Sequence, residues 1–457
     1  MAHIEKTAIV LGGSIGGTLV ARVLANHFER VIVLERDPVT TASGAPRKGA
    51  PQGRHAHGLL YRGREVFEEL FPGFTDAVLA RGGASDNPGL SGRWIHHGVM
   101  MARVPARSNG VLGSRPLIEE TLRALLLAQH GTRVELRNEV DVLELVTADD
   151  GRVRGVKLRS RSNGTESTLA ADLVVDALGR GSPMLRWLAA LGYEAPPVEE
   201  VKVDVHYTTR SFVRRPNDLA GDAFVVTAPL PPNRGAGVVL AQENDRFIVT
   251  LMGYLGQRAP EDLEGFRAYA RTLAAPDIGE FVAHAEPCDE PCVASFPASR
   301  RRRYEKLRRF PDGLLVFGDA IASFNPIYGQ GMTVAAEEAL ALDRCLDRGA
   351  KDLARRFFSD VAKIVDVPWG SAVLNDLRFP EVKGPRSIVT SFLHRYLDRV
   401  YARGASDPVV SRVVLDVVNL VVPPPAVFAP SVLRRVVFGG SRPTPRALMD
   451  YSRPVSE

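Results

Sequence analysis

The first 36 residues constrain this chain more than any other stretch. Thr7 to Leu11 is a β-branched and apolar run of strand length. Gly12, Gly13, Ser14, Ile15, Gly16 and Gly17 follow as a turn, and Thr18 to Phe28 reads as a helix. Val31 to Leu34 is a second strand that ends in Glu35. Strand, glycine turn, helix, strand and terminal acid in that order describe a dinucleotide-binding βαβ unit. Gly12 makes the tight turn, and the helix N-terminus around Ser14 and Gly16 faces the pyrophosphate. Gly17 allows close helix–strand packing. Glu35 accepts from a ribose hydroxyl, with Arg36 beside it. Ser14 stands where the pattern usually has its second glycine, and its small side chain leaves room for phosphate.

A second glycine-rich site lies about 300 residues on. Gly313 to Phe317 is an apolar run, Gly318 and Asp319 follow at its tip, and Thr333 to Leu346 reads as a helix. Between them stand Pro326, Tyr328, Gly329, Gln330, Gly331 and Met332. A carboxylate suits hydroxyls, and the bare N–H groups of a helix start suit an anion. One ligand with a polyol chain and an anionic end accounts for both sites. FAD is such a ligand. Its adenosine end fits the first unit, Asp319 takes a ribityl hydroxyl or orders pyrophosphate water, and the helix near Gly329 faces the flavin edge that becomes anionic on reduction.

The chain of 457 residues has 24% charged and 45% hydrophobic residues and a net charge of +5, the balance of a globular protein with no demand for nucleic acid. Cys288, Cys292 and Cys345 are too few for a disulfide framework, which points to a reducing cytoplasm. No signal peptide and no membrane span are expected, and peripheral membrane contact is compatible with the sequence. The fold class expected is α/β, an α+β composite. Residues 1–195 and 299–370 form a Rossmann-type part, with 81–109 leaning to the substrate side. Residues 196–298, where Val201, Val203, Val205 and Tyr207 alternate with polar residues, form an antiparallel sheet. Residues 371–457 are helical. Residues 133–160 read as a small β-ribbon of Arg133 to Asn138, Val140 to Val146 and Arg152 to Leu158.

Taken together, these motifs resemble the FAD-dependent aromatic-hydroxylase-like monooxygenases, the group A flavoprotein monooxygenases. The Gly12–Glu35 unit matches, as do Asp172 to Ser182 around Asp176 and Gly318 to Gly331. Gly113 to Leu122 is a weaker match, in which the family places an arginine, here Arg115, against FAD. After Asp176 stands Ala177 where the family motif has glycine. The segment from Gln52 through Arg54, His55 and His57 to Gly58, with Asn325 to Met332, is most similar to squalene-epoxidase-like enzymes and polyether polyketide epoxidases. The resemblance implies FAD as cofactor, NAD(P)H as reductant, and Val140 on the cofactor side. It also implies oxygen transfer from a flavin C4a-hydroperoxide to an apolar substrate. Epoxidation of an alkene in a polyketide or isoprenoid-like product is the leading expectation, and O2 is the co-substrate.

Epoxidation needs no side-chain base, so no catalytic residue is assigned beyond the candidates Arg54 and Tyr328. Each has an ordinary alternative, a solvated loop arginine and a packing tyrosine. His55 and His57 read first as hydrogen-bonded loop histidines, and no ligand cluster for a metal accompanies them. Arg300 to Arg303 read as a solvated face before any phosphate site. The Cys288–Cys292 spacing does not suit a redox disulfide. An aromatic polyketide hydroxylase, a geranylgeranyl-reductase-type alkene reductase and a non-enzymatic binder on the same fold stay open. A halogenase is disfavoured, because none of Trp94, Trp187 and Trp369 lies in a Trp-x-Trp-x-Ile-Pro run.

Overall fold

The computed structural model describes residues 5–39, 47 and 49–439. Strand Glu5–Leu11 is the centre of a five-stranded parallel sheet. Its neighbours are Phe28–Leu34 and Leu173–Asp176, and the edges are Val134–Arg137 and Leu314–Val316. Ala8, Ile9, Val10 and Leu11 are completely buried, as a strand covered on both faces requires. Helix Ile15–His27 starts three residues earlier than expected, since the Ser14 carbonyl already accepts the Thr18 N–H at 2.9 Å. It packs against helices Arg115–His130 and Gly331–Asp347.

The ribbon expectation needs one correction. Val134–Arg137 joins the parallel sheet beside Phe28–Leu34. The ribbon has three other strands, Val140–Thr147, Val153–Ser160 and Glu166–Ala170. The Val134 side chain is buried in the main core, which a surface ribbon would not provide.

An eight-stranded sheet forms the second body. Its longest strand is the 16-residue Val198–Val213, paired antiparallel with Cys292–Arg302 and Arg246–Gly253. Gly235–Gln242, Phe224–Thr227, Gly92–His96 and Val99–Met100 continue it on one side. Strands from residues 92–100 therefore belong to this sheet. On the other side Ala322–Ser323 pairs with Arg300 and Arg301, so the segment after Asp319 is tied to the sheet. Helices Leu263–Ala270 and Asp277–His284 share an apolar core with it.

The arginine run at 300–303 is not a solvated face. Side chains alternate across a strand, so neighbours find different partners. Arg300 pairs with Glu200 at 2.8 Å, Arg303 with Glu199 at 2.7 Å, and Arg301, 1% exposed, with Asp366 at 2.6 Å. Arg302 donates to the Ala320 carbonyl at 2.8 Å.

The C-terminal region is helical as far as it is described: Leu353–Asp376, Ile388–Gly404, Pro408–Val418 and Pro430–Phe438. A Ser387–Thr390 capping box opens the second, and Asp407 with Pro408 opens the third. The last three share a small core of Tyr396, Val400, Val410, Val414, Val427 and Val432, joined by Met101 from the sheet side. Residues 440–457 of the expected helical region lie outside the described residues. No helix among the described residues is long and apolar enough to cross a membrane.

Candidate active site

The glycine turn is built by exclusion. Gly12 has φ +97°, and a Cβ there would lie 2.8 Å from the Ala177 carbonyl oxygen. A Cβ on Gly17 would lie 1.8 Å from the Gly12 carbonyl oxygen, so helix and strand approach only without a side chain. Gly13 N–H donates to Glu35 Oε2 at 2.9 Å, and Asp37 N–H to Glu35 Oε1 at 3.0 Å. The carboxylate at the second strand tip is thus oriented before any ligand arrives.

Around it lies a charge cluster that sequence reasoning missed. Arg47 reaches Glu35 at 3.0 Å and also pairs with Glu119, which Arg123 meets at 3.0 Å. Ser14 Oγ donates to Glu119 at 2.8 Å, and Arg115 approaches Ser14 Oγ at 3.3 Å. Burial pulls the Arg115 guanidinium below its ordinary value, with Glu119 and Asp319 opposing. Its Nε is buried without a hydrogen-bond partner. Glu119 and Arg123 are an i, i+4 pair on the helix opened by Arg115. That pair was the available signal, though a surface reading fits it equally.

The second glycine site closes over the first. Gly318 has φ +65°, and its N–H donates to Glu338 Oε2 at 2.7 Å. The Asp319 side chain opens into a cavity yet lies deep in the protein. Burial pushes its carboxyl up, while Arg115 and Arg180 hold it down. Burial also pushes the Glu338 carboxyl up to about 8, with the Gly318 bond opposing. Gly329 has φ +63°, and a Cβ on Gly331 would lie 3.9 Å from Asp319 Oδ1. Helix Gly331–Asp347 opens at that point with no acid in its first turn.

These parts line one cavity of about 1400 Å³. Every residue expected on the cofactor side lines it except Gly17 and Asp176. Gly17 is packed beneath the turn. Asp176 is wholly buried and accepts from Leu178 N–H at 3.0 Å and from Ser182 Oγ, so it shapes the Ala177–Gly181 loop from behind. Arg54 and Tyr328 both line the cavity, Arg54 with an exposed side chain. His55 bonds Thr209 Oγ1 at 2.8 Å, and His57 bonds the His55 carbonyl at 2.9 Å. Burial lowers His55 to about 4 and His57 to about 3, so both are neutral at pH 7. Cys288, Cys292 and Cys345 are free thiols.

Away from the glycine sites the cavity turns apolar. Leu397, Val400, Val414 and Phe428 of the C-terminal helical region line it with Trp94 and Phe224 of the sheet, and the polar His97, Asn375 and Arg378 line it too. His96 is stacked between Trp94 and Tyr401, with ring centroids at 6.4 and 5.2 Å, and burial lowers it to about 4.

The donor set fits FAD. A polyol and a diphosphate meet Asp319, Glu35, Arg115 and two glycine turns at which a side chain would be strained or obstructed. The volume exceeds the roughly 300–1,000 Å³ of a single small-ligand pocket, leaving space for a second molecule.

Comparison with known proteins agrees. The FAD binding domain family matches residues 5–355. Protein Rv3254 of Mycobacterium tuberculosis is 35% identical over 393 residues, 81% of this chain and 80% of that one. Kynurenine 3-monooxygenase of Salinispora tropica is 26% identical over 391 residues, 78% of each chain. The flavin-dependent halogenase CmlS has the same fold, with a TM-score of 0.65 at 18% identity over 92% of this chain and 77% of that one. PqsL, a probable FAD-dependent monooxygenase from Pseudomonas aeruginosa, superposes with a TM-score of 0.55 at 20% identity over 89% and 98%. The chain belongs to the FAD binding domain family of group A flavoprotein monooxygenases, with FAD as its cofactor and NAD(P)H as the reductant typical of the family.

Proposed function

We propose that this monooxygenase epoxidises an alkene in an apolar substrate of polyketide or isoprenoid-like character. One observation carries the reading: the cavity continues from the cofactor side into a wall of Leu397, Val400, Val414 and Phe428. Such a wall favours contact with a hydrocarbon.

FAD, reduced by NAD(P)H, supplies the electrons that activate O2 for transfer of one oxygen atom. The chain's own residues do the rest. Glu35 and Arg115 hold the adenosine and pyrophosphate side, and Asp319 takes the ribityl chain. The helix opening at Gly331 presents its N–H groups, and its dipole favours negative charge there. The apolar wall excludes water, which protects a reactive oxygen donor from decay. His55, His57 and His96 are too weakly basic to take a phenol proton at neutral pH. Oxygen transfer to an alkene requires no such base.

Aromatic hydroxylation is the second reading, favoured by the Trp94–His96–Tyr401 stack and by the kynurenine 3-monooxygenase relatives. The test is NAD(P)H oxidation with hydrogen peroxide and product assayed together, using a polyolefin and a phenolic polyketide in parallel. Epoxide formation with falling peroxide release supports the first reading. Turnover of the phenol alone replaces it with the second.

A further inference from the structure

Behind the cavity-lining loop Asn325–Gly331 lies a polar cluster inside an otherwise apolar core. Asp376 is wholly buried at the C-terminal end of helix Leu353–Asp376. Three donors converge on a single oxygen of it. Tyr328 Oη donates to Asp376 Oδ1 at 2.8 Å, Tyr254 Oη at 3.0 Å and Asn325 Nδ2 at 3.0 Å. Asn325 Nδ2 also donates to Tyr254 Oη at 2.6 Å, and Asn325 Oδ1 accepts the Ile327 N–H at 3.3 Å. Asp376 Oδ2 is buried with no hydrogen-bond partner.

Three separate parts of the chain meet here. Tyr254 follows the strand Arg246–Gly253, Asn325 and Tyr328 belong to the cofactor-side loop, and Asp376 belongs to the C-terminal helical region. Among the described residues Asp376 makes no ion pair. A buried carboxyl with no cation is expensive to keep unless its hydrogen bonds are strong. Three donors aimed at one oxygen are the pattern that an ionised acceptor satisfies best, since charge-assisted bonds are about twice as strong as neutral ones.

We propose that Asp376 is a positioning residue, whose ionised carboxylate fixes the Asn325–Gly331 loop in the shape that receives the flavin. It touches neither substrate nor cofactor and acts through Asn325 and Tyr328. The titratable groups facing it are the phenols of Tyr254 and Tyr328, with Tyr207 further off, and all three are raised by burial and stay neutral. Burial raises Asp376 to about 6, with the three donors opposing. Relative to a loop rearranged around a still-buried Asp376 that has lost these donors, the donors favour the ionised form, so the lock opens as pH falls through about 6. The inference rests on the FAD assignment and is independent of which substrate is oxidised.

The test is FAD titration of the flavin-free full-length chain by fluorescence quenching, from pH 5 to pH 8. The dissociation constant of the native chain is expected to rise roughly tenfold as pH falls below about 6, the loss of about one charge-assisted hydrogen bond. Asp376→Asn keeps the shape and removes the charge. It is expected to hold the weaker affinity at every pH, with the step gone and thermal stability retained. Asp376→Glu is expected to restore a pH step. A native chain with no step near pH 6, or an Asp376→Asn chain that keeps both step and affinity, overturns the proposal. Should Asp376→Asn fail to fold, Tyr328→Phe removes one donor and is expected to move the step to higher pH; an unmoved step overturns it equally.

Discussion

Glu338 accepts the Gly318 N–H at 2.7 Å from beneath the turn that presents Asp319. A buried acid thus supports the turn of a second acid that opens into the cavity. Burial raises the Glu338 carboxyl, and repulsion from Asp319 adds to the rise. Folding holds the Glu338 proton more tightly than the unfolded chain does, because its folded value of about 8 exceeds the ordinary 4.5. Its contribution is fully present below about 4.5 and is lost as pH rises through about 8. The native chain is expected to lose melting temperature between about pH 4.5 and pH 8, and Glu338→Gln is expected to flatten that fall. Thermal denaturation across that range checks it.

Gly17→Ala is expected to cost about 3 kcal/mol or more, since the new methyl would lie 1.8 Å from the Gly12 carbonyl oxygen, a rigid backbone atom. The purified variant should melt earlier and carry less flavin absorbance. Gly58→Ala, on the same cavity but with no atom within 4 Å of the new methyl, is the control and should retain both.

Arg47 serves two glutamates at once, and its side chain is only 14% exposed. Arg47→Met leaves Glu35 short of its cation and Glu119 with Arg123 alone. The expected loss is about 3–5 kcal/mol, that of a broken buried ion pair. Chemical denaturation with and without FAD reads it. Glu35→Gln, which keeps the acceptor, should lose less than Arg47→Met.

Leu397→Trp fills the apolar end of the cavity without touching the glycine turns. Flavin content should stay unchanged. Substrate should no longer suppress peroxide release, and KM for it should rise at least about tenfold, the worth of displacing one well-packed apolar contact. An unaltered KM would place the substrate elsewhere.

The βαβ unit was legible because its signals are local: five consecutive pieces in 36 residues, each with one physical job. The loop around Gly329 was legible for the same reason. Arg47, Glu119, Glu338 and Asp376 were not, since each is carried to its partner by packing between elements far apart in the chain. Glu338 left a faint trace, an acid on the helix following Gly331 at a position whose neighbours Ala335, Leu342 and Cys345 are buried. Asp376 left none, because its three donors come from residues 254, 325 and 328. The Arg300–Arg303 run misled for a related reason. A row of like charges looks solvated until the strand opposite is known to carry Glu199 and Glu200.

The far wall of the cavity comes from the helices after residue 387, whereas the glycine turns come from the first 36 residues and from 318–331. On the proposed reading, oxidising machinery and substrate contour are thus written in different stretches of one gene. Recombination within 388–438 can redraw the shape of what is accepted and leave the redox centre intact, which makes that segment the natural place for relatives to diverge in diet and for an engineer to begin.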